Sequence, residues 1–225
     1  KRQDGDGDLD FLITSLSQDD MAWYVNDGNE NFSFQLIDGN GSFGVWSALC
    51  ADYNGDGITD IITNRNSYGL AILDNDEEAN FAPFYSGGVN VGIGGISSND
   101  VDGDGDNDFF VFNSNTLRWY ENVGDNNFMD HTIHTVPFVA DPEVYSVDMD
   151  GDSDVDVVVS YGLQDSIYWF ENDGNQNFTP HFVYTGDFVY DLRAADMDAD
   201  GDMDIIASSR YAGEVYWIEF SCTPA

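Results

Sequence analysis

The chain has 225 residues, 42% hydrophobic and 15% aromatic, which is enough for a packed core and too apolar for a disordered segment. Its 43 acidic against 6 basic residues give a net charge of −37, which argues against nucleic acid and anionic membrane surfaces as partners. No apolar run approaches the ~18 residues of a membrane-crossing helix, so no membrane insertion is expected, and two cysteines do not make a disulfide scaffold.

In chain order, the first recognisable element is the acidic stretch DGDGDLD at 4–10, carrying Asp4, Asp6, Asp8 and Asp10. A β-branched and aromatic run follows (Phe11-Leu12-Ile13-Thr14), then a second at Met21–Val25, then a turn ending in Asn31-Phe32. The pattern then restarts. Acidic loops open at Asp52, Asp100, Asp148 and Asp196, each 48 residues after the last, and read DYNGDGITD, DVDGDGDND, DMDGDSDVD and DMDADGDMD. Each leads into an apolar run (Ile61-Ile62-Thr63, Phe109–Phe112, Val157–Val159, Ile205-Ile206-Ala207) and then a second one (Leu70–Leu73, Leu117–Tyr120, Ile167–Phe170, Val215–Ile218). Turns ending in Asn80-Phe81, Asn127-Phe128 and Asn177-Phe178 precede a third strand in the middle repeats.

Four short strands separated by turn residues account for a 48-residue unit. The runs are nearly continuous rather than alternating, so both faces of each sheet are expected to be buried, as radially stacked blades require. The predicted fold is an all-β propeller of five blades, approximately 1–38, 39–87, 88–136, 137–186 and 187–225, in one domain. The first blade lacks a strand ahead of its loop and the last lacks a convincing fourth strand, so the chain is expected to be part of a larger propeller, with self-association through the incomplete blades a further possibility. Small residues two positions before each loop (Cys50, Ser98, Ser146, Ala194) predict crowding near a central channel. Cys50 thus reads as a small buried residue, and a bridge to Cys222 is the lesser reading.

The acidic loops hold 22 of the 43 acids, and Asp outnumbers Glu 35 to 8 in the chain. Solvated acidic surfaces mix the two types, whereas a tight loop around a cation favours the short side chain. Four or five carboxylates in nine residues repel one another unless a cation sits among them. A D-x-[DN]-x-D-G-x-x-D loop offers oxygens at its first, third, fifth and ninth positions and a backbone carbonyl at its seventh, which suits the six to eight oxygen ligands of Ca2+. The expected metal-site residues are Asp52, Asn54, Asp56, Ile58 and Asp60; Asp100, Asp102, Asp104, Asp106 and Asp108; Asp148, Asp150, Asp152, Asp154 and Asp156; and Asp196, Asp198, Asp200, Asp202 and Asp204. The first copy is weaker, because Arg2 stands at its first ligand position, and four well-formed sites are expected. Gly57, Gly105 and Gly201 occupy the sixth position, where Ser153 stands in the fourth copy; Ala199 replaces the fourth-position Gly in the fifth.

The loop, the strand after it, the aromatic strand and the Asn-Phe turn together resemble the FG-GAP/VCBS repeat family, similar to the integrin α-subunit head and to propeller lectins. That resemblance implies calcium in the hairpin loop between the first two strands of each blade and an extracellular or cell-surface setting. It implies no single function. EF-hands share the Asp-rich start but follow it with a helix and close with Glu.

No nucleophile elbow, nucleotide-binding Gly loop or Cys/His cluster is present. His131 and His134, three apart on a strand, point to opposite faces and are poor chelating partners. The recurring Trp-Tyr or Trp-Phe pairs at Trp23, Trp119 and Trp169, with Trp217 in the last copy, read as core. Trp46, Tyr145 and Tyr190 are the better candidates for a ligand surface, and Asn31, Asn40 and Asn177 begin glycosylation sequons. The expected function is adhesion or glycan recognition outside the cell, with a glycan or protein ligand, rather than catalysis. The rivals are a structural spacer in an extracellular fibre and a polysaccharide lyase.

Overall fold

The structure is a computed structural model that describes residues 8–15, 20–38, 45–65, 69–76, 81–84, 94–125, 127–138, 141–186 and 189–220. Asp4, Asp6, Asn40, Asn80 and Cys222 lie outside these residues, as does the side chain of Trp46. The described residues form five antiparallel sheets with strands in sequential order. The first has three strands, β1 (Phe11–Ser15), β2 (Asp20–Asn26) and β3 (Phe32–Asp38). The second has four: β4 (Val45–Ala51), β5 (Asp60–Arg65), β6 (Gly69–Asn75) and β7 (Phe81–Phe84). The third contains β8 (Ile96–Asn99), β9 (Asp108–Asn113), β10 (Thr116–Asn122) and β11 (Phe128–Thr135). The fourth contains β12 (Pro142–Val147), β13 (Asp156–Tyr161), β14 (Ser166–Asn172) and β15 (Phe178–Thr185), with one 3-10 turn at Gly162–Gln164. The fifth has β16 (Val189–Ala195), β17 (Asp204–Ser209) and β18 (Val215–Ile218).

The chain divides into two compact units, residues 1–93 with 122–129, and residues 94–121 with 130–225. In the first, Met21, Val45, Ile61 and Leu73 form a buried cluster joining the first two sheets. The second shows why the apolar runs are continuous. On β13, Val157 and Val159 pack with Phe110, Phe112 and Trp119 of the third sheet, whereas Val158 between them packs with Leu192, Ile205 and Ala207 of the fifth. Successive side chains on a strand point to opposite faces, and here both faces meet another sheet. Each such residue contributes roughly 1.5–3 kcal/mol on burial.

The repeated register is strict. Trp23 lies opposite Leu12, Trp119 opposite Phe110, Trp169 opposite Val158 and Trp217 opposite Ile206. Trp23, Trp119 and Trp169 are buried, as expected of core residues, but Trp217 is 54% exposed. Of the small residues ahead of the loops, Ser146 is buried, whereas Cys50, Ser98 and Ala194 are half-buried, so Cys50 is not the fully buried residue the sequence suggests. Ser146 on β12 donates its backbone N–H to Ser97 Oγ on β8 at 2.8 Å, and the two hydroxyls lie 2.8 Å apart. Gly95 N–H bonds Pro142 O at 2.9 Å, so the first strands of neighbouring sheets are in backbone contact. A larger residue at Ser146 would break these bonds.

Glu143, on the same strand, is half-buried beside Gly95, where a Cβ would stand 2.4 Å from Glu143 Oε2. Burial pushes its carboxyl from 4.5 up to about 7; Asp191 adds to the rise and Arg193 opposes it. The fold therefore favours the protonated acid, so this group's contribution to stability is greatest below pH ~4.5 and is lost as pH rises through ~7. Glu143→Gln is expected to match wild type at pH 4 and to exceed it by about 2–3 kcal/mol at pH 8. Urea unfolding at both pH values measures this; a difference independent of pH would contradict it.

Candidate metal centre

The acidic loops at 52–60, 100–108, 148–156 and 196–204 each join the first two strands of a sheet, and the acidic stretch ending at Asp10 leads into β1. As the sixth-position glycines lead one to expect, the loop turns inward, through left-handed residues at its fourth and sixth positions: Gly103 and Gly105 (φ 78° and 99°), Gly151 and Ser153 (79° and 78°), Ala199 and Gly201 (65° and 100°). At Gly105 nothing lies within 4 Å of an added Cβ, so backbone conformation alone asks for glycine there. Ser153 and Ala199 adopt the same conformation at a cost of ~1–2 kcal/mol each, which marks the fourth and fifth loops as strained.

The first-position Asp organises this turn. Asp100 accepts N–H bonds from Gly103 and Gly105 at 2.9 and 3.1 Å, and Asp148 accepts them from Gly151 and Ser153 at 2.8 and 3.0 Å. Asp52 does the same with Gly55 and Gly57, and Asp196 with Ala199 and Gly201. Third-position side chains (Asn54, Asp102, Asp150, Asp198) accept from the fifth-position N–H, and fifth-position carboxylates (Asp56, Asp104, Asp152, Asp200) from the seventh, at 2.8–3.2 Å. Ile58 enters this pattern through its N–H to Asp56.

The result is convergence. Oxygens of Asp100, Asp102 and Asp104 lie within 4.8 Å of one another, as do those of Asp148, Asp150 and Asp156, and of Asp196, Asp198 and Asp200. The loop at 52–60 shares the hydrogen-bond pattern but has Asn54 at its third position. Burial raises the pKa of Asp102, with Asp104, Glu121 and Asp100 adding repulsion, and burial likewise raises Asp150 beside Asp152 and Asp148. The donors are carboxylate oxygens with no sulfur or imidazole among them, a set that suits a hard divalent cation.

The seventh-position carboxylates do not join these groups. Asp8 and Asp154 lie against Gly28 and Gly174 of the following hairpin turn, where an added Cβ would stand 2.2 and 2.4 Å from their Oδ2 atoms. Asp106 and Asp202 contribute to the turns through their N–H groups.

The ninth-position Asp has a second role that the sequence reading missed. Asp156 is fully buried; its Oδ2 accepts Met149 N–H at 3.0 Å and its Oδ1 accepts Asn172 N–H at 2.7 Å. Asp60 holds Tyr53 and Asn75 in the same way, and Asp204 holds Met197 and Phe220. Asp108 accepts from Val101, and Asp10 accepts from Asn26. The residue thus latches the loop's second position to the end of a strand about 16 residues on. Burial pushes Asp60 up to about 6 and Asp156 up to about 7, against these two N–H donors each. The Asn at the far end returns a bond: Asn75 Nδ2 to Thr59 O at 2.9 Å and Asn172 Nδ2 to Val155 O at 3.2 Å. The recurrence of Asn26, Asn75, Asn122 and Asn172 just ahead of the hairpin turns was the available signal.

The remaining candidates are placed as follows. Arg193 lies over the Tyr145 ring at 5.5 Å and Arg210 over Tyr190 at 5.3 Å, so both tyrosines hold a cation rather than standing alone. Asn31 and Asn177 are exposed, but their side-chain nitrogens donate to Asp27 and Asp173 at 2.9 and 3.0 Å. His131 and His134 do diverge: His131 stacks on Trp119 and His134 meets Phe170.

Residues 4–63, 100–159 and 148–207, well over half of the chain, match the FG-GAP-like repeat. The chain belongs to the FG-GAP-like repeat family. No curated protein sequence matches it. Among solved structures, this FG-GAP-like chain is similar to an Agrocybe aegerita lectin described as recognising non-reducing terminal N-acetylglucosamine, at 18% identity and a TM-score of 0.59, over 89% of this chain and 60% of the lectin. It is also similar to an auxiliary nutrient-binding protein of Bacteroides ovatus, at 9% identity and a TM-score of 0.63, over 92% of this chain and 51% of that one. At these identities the likeness is one of fold. The FG-GAP-like chain spans under two thirds of either neighbour's length.

Proposed function

We propose that this FG-GAP-like chain is an extracellular recognition module whose sheets are propeller blades, whose loops take up calcium, and whose surface binds a glycan or protein ligand. The observation that carries the reading is the convergence, in three loops of one repeat, of carboxylates within 4.8 Å of one another. In the loops at 100–108 and 196–204 the first-, third- and fifth-position side chains would hold the ion; in the loop at 148–156 the first-, third- and ninth-position side chains would. Calcium tolerates such an irregular oxygen set, whereas magnesium demands a tight octahedron. When bound, the ion neutralises repulsion between carboxylates; the chain's own residues shape the loop and latch it to the sheet.

Solvent-facing loops of this kind suit the weaker sites of extracellular modules, which work at ~10⁻⁴–10⁻³ M calcium. The lectin and nutrient-binding neighbours, by their descriptions, recognise ligands, which accords with a binding role. Among the described residues no helix is long and apolar enough to cross a membrane.

Calorimetric calcium titration tests the reading. At least three ions are expected, one fewer in Asp104→Ala, and an unchanged number in Asp8→Ala, whose carboxylate faces Gly28. No uptake at millimolar calcium, or the same stoichiometry in Asp104→Ala, would sink it.

A further inference from the structure

Within the second unit, a groove of about 720 Å³ runs between the outer strands of the third sheet and the hairpin turn at 175–178 of the fourth. Its volume lies within the ~300–1,000 Å³ of small-ligand sites. We propose that this groove binds a neutral saccharide residue. The inference rests on the recognition reading above and deepens it by naming a surface and a ligand class; of the groove's lining, Asp102 is shared with a proposed metal loop.

One wall is aromatic and rigid. The His131 ring stacks on Trp119 with centroids 4.5 Å apart and an interplanar angle of 22°, and His131 Nε2 lies 2.7 Å from Glu121 Oε2. Trp119 is buried, so His131, with its side chain 37% exposed, is the ring surface the groove presents. The opposite wall is the turn carrying Asn175, Gln176 and Asn177. Two anchors hold it in place. Phe178 packs edge-on against Phe110 of the third sheet at 6.0 Å, and the Asp173 carboxylate accepts the Asn175 and Asn177 N–H groups at 2.9 and 3.3 Å. Gln176, at φ 58°, is half-buried between two exposed neighbours and lines the groove.

The lining chemistry selects the ligand class. Asp102, Glu121 and Asp130 accept hydrogen bonds, the side-chain amides can both donate and accept, and Thr132 adds a hydroxyl. Each carboxylate already has an internal partner: Asp104 N–H for Asp102, His131 for Glu121 and Arg118 for Asp130. A ligand must therefore bring several donors and acceptors around a ring edge and an apolar face for the His131 wall. A pyranose has both. A uronate or sulfated sugar would bring negative charge among three carboxylates in a chain of net charge −37. The Trp169, His181 and Glu171 side chains repeat the wall in the fourth sheet, with ring centroids 4.7 Å apart and a 2.7 Å His–Glu contact, so the arrangement belongs to the repeat.

Saturation-transfer NMR with neutral methyl hexopyranosides and methyl N-acetylhexosaminides, and methyl glucuronide as the acidic control, tests the proposal. At least one neutral probe is expected to bind, the glucuronide at least tenfold more weakly. His131→Ala and Gln176→Ala are each expected to weaken the neutral probe at least tenfold with melting temperature and calcium stoichiometry unchanged. Gln176 is a turn residue, so its variant tests the groove even if His131→Ala loosens β11. Binding that survives both substitutions places recognition elsewhere and overturns the groove while leaving the recognition reading intact. Absence of binding by every neutral probe, or equal binding of the glucuronide, overturns the saccharide assignment.

Discussion

Asp156→Ala is expected to destabilise the protein by about 3–5 kcal/mol in EDTA, and by more in calcium, because its carboxylate also converges with those of Asp148 and Asp150. The change leaves the buried N–H groups of Met149 and Asn172 without the carboxylate that accepts both. Each stranded donor costs about 1–3 kcal/mol. Asp152→Ala is the matched control: its exposed carboxylate accepts only the Asp154 N–H within the loop. In excess EDTA that variant is expected to lose under ~1 kcal/mol, because solvent can replace a bond so exposed. In calcium its loss should stay below that of Asp156→Ala, since Asp152 lies outside the converging group of Asp148, Asp150 and Asp156. Urea unfolding of both variants, with and without calcium, separates the two roles. Equal losses in EDTA would mean that the ninth residue is a ligand and nothing more.

Calcium removal is expected to lower the melting temperature by 10 °C or more. An ion held at a hundred times its dissociation constant stabilises the fold by ~2.7 kcal/mol. In a chain of this size each kcal/mol moves the midpoint by ~2–4 °C. Three converging carboxylate groups give room for several such increments. Burial, and after it the neighbouring carboxylates, raise Asp102 and Asp150, so chelation leaves partly buried like charges without a counter-ion and the empty loops oppose folding. Added magnesium should recover little of the loss, since the irregular oxygen set does not match its octahedron. A scanning melt in calcium, in EDTA, and in EDTA with excess magnesium measures all three. A curve unmoved by EDTA would defeat the calcium reading.

The repeat and the loops were legible because both are local. A 48-residue spacing and an alternation of oxygen side chains can be read along the chain without knowing what lies across from what. The three- and four-stranded sheets, the buried faces of Val157–Val159 and the convergence of Asp100, Asp102 and Asp104 followed from them. What stayed hidden depends on cross-strand register. Along the chain His131 and His181 read only as a repeated position, and His131 as a poor chelating partner for His134. Their partners, Trp119 with Glu121 and Trp169 with Glu171, become neighbours once the third and fourth strands pair. The Asp156–Asn172 bond is invisible for the same reason, since its two residues are 16 apart and meet only through a hairpin. Trp217 shares the repeat position of Trp119 and Trp169 yet is exposed, because burial belongs to the surrounding sheets and not to the position.

The latch also bears on how such a chain can diverge. Asp10 bonds Asn26 N–H at 2.8 Å, although Arg2 occupies the first ligand position of its loop. On the calcium reading proposed above, substitutions at the first, third or fifth residue would cost one copy its ion while its sheet keeps its connection to the hairpin. A substitution at the ninth breaks that connection whether or not an ion is held. The five copies within this chain follow that division: Arg2 and Asn54 interrupt the first and third positions, while the ninth is Asp in every copy.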